Sequence, residues 1–162
     1  MKKLFLWFVL GGLVYYAIEG LWHIFFNQGW ANITMAIVGG LCFVPVGLIN
    51  QIPIFYKASM RLQSLIGAII VLIIELLSGI LLNMVMGMNV WDYSDLPFNI
   101  LGQVCLVYGL AWFVLMPFTI WLEDKLNIIR YAYLLFRGIA TEKDKPLYDY
   151  TLIQAYKELI TF

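Results

Sequence analysis

Charged side chains are scarce in this chain: 12% of 162 residues, with 10 Lys and Arg balancing 10 Asp and Glu. A soluble domain averages about 25% charged residues. Only about half the usual solvating groups are therefore present, while 63% of the residues are hydrophobic and the mean hydropathy is +0.87. That combination excludes a water-soluble monomer. The missing basic excess excludes nucleic acid as a partner, because phosphate contacts need clustered Lys and Arg. One histidine and two cysteines give neither a disulfide framework nor a metal-spaced ligand set. No G-x-x-x-x-G-K-[ST] phosphate loop occurs, so any ATP-driven role requires a separate ATPase subunit. No cofactor is expected.

What the chain has instead is long apolar runs. Residues 4–26, 34–52, 65–85 and 100–122 are each long enough to cross roughly 30 Å of hydrocarbon as helices at about 1.5 Å per residue. Glu19 and Glu75 are their only Asp, Glu, Lys or Arg residues. A chain of 162 residues cannot supply the exterior needed to bury four such helices inside a soluble protein. The fold class expected is all-α: a polytopic bundle of four transmembrane helices over residues 1–125, followed by an amphipathic tail over 126–162.

Orientation follows from the basic residues, which cytoplasmic loops retain. Lys2 and Lys3 precede the first span, Lys57 and Arg61 lie between the second and third, and the other Lys and Arg follow Leu122. The connections at 27–33 and 86–99 have none. Both termini are expected in the cytoplasm, in a multi-pass protein of the bacterial cytoplasmic membrane. The opening Met1-Lys2-Lys3 also suits a cleaved leader, but no small-x-small site precedes Glu19, so an uncleaved first span is expected. Cys42 and Cys105 fall within the second and fourth spans, as small apolar packers or, alternatively, as a bridged pair.

Lipid tails are as apolar as Leu, so helices in a bilayer associate through close backbone approach and hydrogen bonds. Ala36, Gly39, Gly40 and Gly47 make one such face, and Gly11, Gly12, Gly67 and Gly79 are candidates to meet it. A glycine face left over would allow a homo-oligomer. Pro45 is expected to bend the second span. In the tail, Ile128, Ala132, Leu135 and Ile139 repeat at helical spacing, and Arg130 and Arg137 share another face. This predicts a helix lying in the membrane interface. Thr151-x-x-Gln154 reads as a capping box opening a last helix with Ile153, Tyr156 and Ile160 on one stripe.

An ionisable group inside hydrocarbon costs at least about 2.5 kcal/mol, so each marks a functional candidate. Glu19 and His23 are spaced for a charge-assisted hydrogen bond along one helix face. Glu75, Gly79 and Asn83 form a second row, and Asn99 and Gln103 a third at the start of the fourth span. Alternate helices run in opposite directions, which places Glu19, His23, Asn83, Asn99 and Gln103 toward the outer side and Glu75 near the midplane, under the loop containing Trp91, Asp92, Tyr93, Ser94 and Pro97. The inner halves of the spans read as almost free of polar side chains. The candidate ligand site is therefore Glu19, His23, Glu75, Asn83, Asp92, Asn99 and Gln103. The same groups also suit hydrogen-bonded glue between helices. Glu19 and His23 with another carboxylate make a thinner metal set, and Ser94 with His23 a thinner nucleophile and base.

The stretch from Val90 to Asn99, followed by Gly102 to Leu106, resembles the bacterial membrane proteins grouped as Putative ABC-transporter type IV, or CmpB-like, permeases. The Gly39 to Phe43 segment, Gly47 to Asn50, Ile18 to Trp22 and the Glu75, Gly79, Asn83 row are similar to that family as well. His23 stands where Arg is common in the family, and Pro45 where an aliphatic residue is expected. The resemblance covers residues 15–125 and implies transport, with an ATPase or another membrane subunit as partner. Three functions are carried forward: a permease or transport component with an outer-leaflet polar pocket; a non-catalytic membrane scaffold or accessory subunit; and a membrane-embedded enzyme acting on a lipid-linked substrate.

Overall fold

The computed structural model describes residues 2–25, 29–55 and 57–161. The expected end of the first span at Phe26 lies outside the described residues. Within them, helices α1 (Lys2–Phe25), α2 (Thr34–Gly47), α3 (Met60–Gly79) and α4 (Leu106–Phe136) form an antiparallel bundle, and a short α5 (Leu152–Ile160) packs on α3 and α4. Four helices are long and apolar enough to cross a membrane.

Glycine sets the closest approach. A Cβ on Gly12 would stand 2.2 Å from the Ala36 carbonyl oxygen, and one on Gly40 2.6 Å from that of Phe8. The α1 and α2 backbones therefore touch where only glycine fits. Gly67 and Gly79 face α4 and the segment before it instead, against Met116 and Gln103. The glycine faces of α1 and α2 are thus covered within the chain, and the self-association expected through such a face has none free on these two helices. Of the apolar window in α2, 56% is buried, against 22% in α1 and α4, which makes α2 the central helix. It ends at Gly47, just after Pro45, and passes into a tight 3₁₀ turn at Ile49–Gln51. Pro45 lies in the last turn of this helix.

Other boundaries also differ from the sequence reading. Helix α3 starts at Met60 rather than at 65, because the Ser59 hydroxyl accepts from the Leu62 N–H and caps it. The fourth helix starts at Leu106 rather than at 100. Phe98, Leu101 and Gly102 have φ of 55°, 54° and 68°, which a right-handed helix cannot contain. The chain forms instead a small antiparallel hairpin, β1 (Asn99–Ile100) with β2 (Val104–Cys105), in the register Asn99 to Cys105. Asn99 and Gln103 consequently do not share a helix face.

At its other end α4 runs unbroken past 125, where a separate interfacial helix was expected to begin. No glycine or proline interrupts residues 118–137, so the helix continues to Phe136. It closes at Gly138, φ 65°, where Ile139 N–H donates to Leu134 O and Gly138 N–H to Leu135 O. The 31 residues of α4 extend about 46 Å, beyond roughly 30 Å of hydrocarbon. The chain then turns back, so that α5 buries Ala155 while Ile153 and Ile160 stay exposed. Its capping box is formed: Thr151 Oγ1 accepts from Gln154 N–H, and Gln154 Oε1 from Thr151 N–H.

Candidate functional site

Glu75 lies about one turn before the end of α3 and is 3% exposed. Its Oε2 accepts from the Trp112 indole N–H of α4 at 3.0 Å, and its Oε1 faces the Tyr15 hydroxyl of α1 at 3.5 Å. Tyr15 and Trp112 are stacked with centroids 5.5 Å apart. One carboxylate thus joins three helices through neutral donors. Tyr15 and Trp112 also line a cavity of about 40 Å³ whose other walls, including Gly39, Cys42 and Val71, are apolar. Both cysteines are buried and free.

One turn beyond Tyr15 on α1 is Glu19, whose Oε1 lies 3.6 Å from His23 Nε2, with both side chains less than a quarter exposed. Among the described residues, the pair has no hydrogen bond to Glu75. Among the described residues, no cluster of His, Cys, Asp and Glu is arranged to hold a metal ion.

The remaining candidates fasten the loop. After Gly79, α3 widens into a π-turn at Ile80–Val85, a form frequent where a side chain must be re-aimed. Asn83, within it, donates to Trp91 O at 2.9 Å and to Gln103 Oε1 at 2.7 Å, and accepts from Val90 N–H at 2.6 Å. Gln103 Nε2 donates to Leu101 O, and its backbone oxygen accepts from the Trp91 indole. Asp92 Oδ1 accepts from both the N–H and the hydroxyl of Ser94. These bonds hold the exposed Asp92 carboxyl below its usual range. Asn99 donates to Ser94 O and Leu96 O and accepts from Gly102 N–H. Burial, with the nearby charge of Glu75 added, pushes the Tyr93 hydroxyl well up. The expected site therefore separates into Glu75 at a helix junction, the Glu19 and His23 pair on α1, and a self-satisfied loop network of Asn83, Asp92, Asn99 and Gln103.

A second polar centre lies at the opposite end, beside the tail, where the sequence reading placed almost no polar side chains. Glu123 is 1% exposed and Asp124 5%. Glu123 accepts from the Trp7 indole at 2.6 Å and from Gln51 Nε2 at 3.0 Å, with Lys3 Nζ 3.8 Å away. Asp124 Oδ2 accepts from Asn50 Nδ2 and from the Tyr150 hydroxyl, each at 2.8 Å. The Tyr150 hydroxyl is pushed up by burial and by the Asp124 carboxylate. The available signal was an acidic pair directly after one apolar run and an amide pair, Asn50 and Gln51, near the end of another. Counting charge by loop assigns the acidic pair to the tail, and the amide pair reads as the end of the second span.

The sequence profile of the family described as Putative ABC-transporter type IV matches residues 5–136. That match includes the loop network, Glu75 and the acidic pair on α4. Comparison with curated proteins and with solved structures gives no match.

Proposed function

From the premise that the chain belongs to the Putative ABC-transporter type IV family, we propose that it is the membrane-embedded part of a transport system in which Glu75 binds and releases a proton or cation. Family membership and four membrane-length helices support a multi-pass transport component. The finer reading rests on one observation: Glu75 is buried amid three helices and held by two neutral donors, which themselves line a small cavity. An ionisable group at that depth is retained at a cost in stability, and groups of this kind mark transport pathways. Glu19 and His23 provide the polar step between Glu75 and the loop, while Asn83, Asp92, Asn99 and Gln103 keep the loop fixed above them. Lys and Arg placement supports cytoplasmic termini. Energy from ATP comes from a separate subunit.

A hydrophobic carbodiimide, which reacts with protonated carboxyls in hydrocarbon, tests the role of Glu75 in the full chain reconstituted in vesicles. Peptide mass mapping is expected to find Glu75 modified, more slowly as pH rises, and Glu75→Gln unmodified at that position but folded. A Glu75 that stays unmodified at every pH, in a protein whose Glu75→Gln variant loses stability, points to the second reading. In that reading the chain is an accessory subunit whose carboxylate only ties helices together, and the self-satisfied loop network favours it. An enzymatic role has the least support, since the Ser94 hydroxyl donates to Asp92 within its own turn rather than to His23.

A further inference from the structure

Resting on the reading that Glu75 binds and releases positive charge, we infer that this charge is a proton and that the site excludes metal cations. The polar groups around the carboxylate turn protons toward it: Oε2 accepts from the Trp112 indole at 3.0 Å, and Oε1 faces the Tyr15 hydroxyl at 3.5 Å. A metal ion needs the reverse, several oxygen lone pairs converging on it. An indole N–H only donates and has no lone pair to offer, and a tyrosine brings a single oxygen. A proton needs no such cage. It bonds to one carboxylate oxygen and leaves the other to accept from its donor.

The charges around Glu75 favour a mobile partner. The titratable groups that act on it are Tyr15 and Glu19 on α1, Cys42 on α2, Tyr93 in the loop and Tyr108 on α4. All are acids, so none supplies a positive charge. The four spans expected from the sequence contain no Lys or Arg, and His23 is held beside Glu19 at 3.6 Å. Glu75 therefore has no fixed countercharge among the described residues. Space selects which mobile charge can serve. The cavity lined by Tyr15 and Trp112 has about 40 Å³, and of its other side chains only Thr119 carries nitrogen or oxygen. The Thr119 hydroxyl is turned to Leu115 O. At about 10–15 Å³ for each water, no more than about three fit, whereas a divalent ion keeps about six oxygens around it. A metal ion entering there would shed most of its shell and find little to replace it. A proton passes without one: hydronium gives it to a carboxylate oxygen, an O–H bond forms, the negative charge disappears and water leaves, and release reverses each change.

The test uses the full chain in phosphatidylcholine nanodiscs, so that buffer reaches both faces, and reads labelling of Glu75 by a hydrophobic carbodiimide across a pH series. Choline chloride is the reference salt, and sodium, lithium, potassium or magnesium chloride replaces it at equal ionic strength. A metal ion on the carboxylate blocks the reagent, so it lowers labelling at fixed pH. Labelling is expected to fall about tenfold for each pH unit beyond its midpoint, as one titrating group does, with the same midpoint in every salt. Glu75→Gln, unlabelled at that position, fixes the background. Saturable loss of labelling in one metal salt overturns the inference and leaves Glu75 as a cation site, with the reading above intact. Labelling that is absent or independent of pH in every salt overturns that reading, and the inference falls with it.

Discussion

The two ends of the bundle are both polar but are assembled in opposite ways. At the loop end, Asn83 bonds to Trp91 and Gln103, only 8 and 20 positions away, and Asp92 bonds to Ser94, 2 away. At the tail end, Trp7 meets Glu123 across 116 positions, Asn50 meets Asp124 across 74 and Gln51 meets Glu123 across 72. The first centre is local, neutral apart from Asp92, and self-satisfied. The second needs α1, α2, α4 and the tail in place at once, and it buries two carboxylates. Damage to the second should therefore be felt through the whole bundle, and damage to the first chiefly in the loop.

The largest effect is expected from Glu123→Ala. It strands the Trp7 and Gln51 donors and removes the partner of Lys3, and breaking a buried pair of this kind costs about 3–5 kcal/mol. Denaturant unfolding in detergent measures it, and a loss under about 1 kcal/mol would mean that Glu123 is solvated rather than central. Gly12→Ala comes next. The added Cβ meets the Ala36 carbonyl, a backbone atom that cannot turn aside, so overpacking of about 1–3 kcal/mol is expected. Tm against that of wild type is the check.

Asn83→Leu should be milder and confined. It unpairs Val90 N–H and Gln103 Oε1, at about 1–2 kcal/mol, and should speed amide exchange in residues 86–105 while α1 and α2 stay protected. Equal acceleration throughout would erase the distinction between the two ends.

The smallest effect concerns pH and the tail. Thr141 and Arg130 hold Asp144 down, from 3.8 to about 2. A depressed carboxyl contributes stability that is complete above its unfolded value and is lost as pH falls through the folded one. Protease sensitivity of residues 139–150 should accordingly rise as pH drops from 3.8 toward 2, and Asp144→Asn should be sensitive already at neutral pH.

Much of the fold was legible because hydropathy is additive along contiguous residues. The four apolar runs, the Thr151 and Gln154 capping box and the meeting of Gly11 and Gly12 with α2 are all patterns a single segment or a pair of segments carries. The start of α4 was not. Asn99 and Gln103 have helical spacing, yet Phe98 and Leu101 adopt left-handed φ because the hairpin and the bonds of Asn83, Trp91 and Asn99 hold them there. Part of the candidate site was legible too. Glu75 was identifiable as a buried acid, but its partners Tyr15 and Trp112 are ordinary span aromatics in the sequence.

The sequence by itself determined a membrane-length apolar bundle, the glycine contact of α1 with α2 and the turn chemistry of its loop, since each is carried by a segment or a pair of segments. Only the tertiary structure decided that Glu123 and Asp124 are buried, that α4 passes through its expected end, and that the tail folds back to Asn50 and Met60. A charged residue after an apolar run reads as solvated until a distant indole, amide or hydroxyl satisfies it, and such partners become neighbours only when the helices pack.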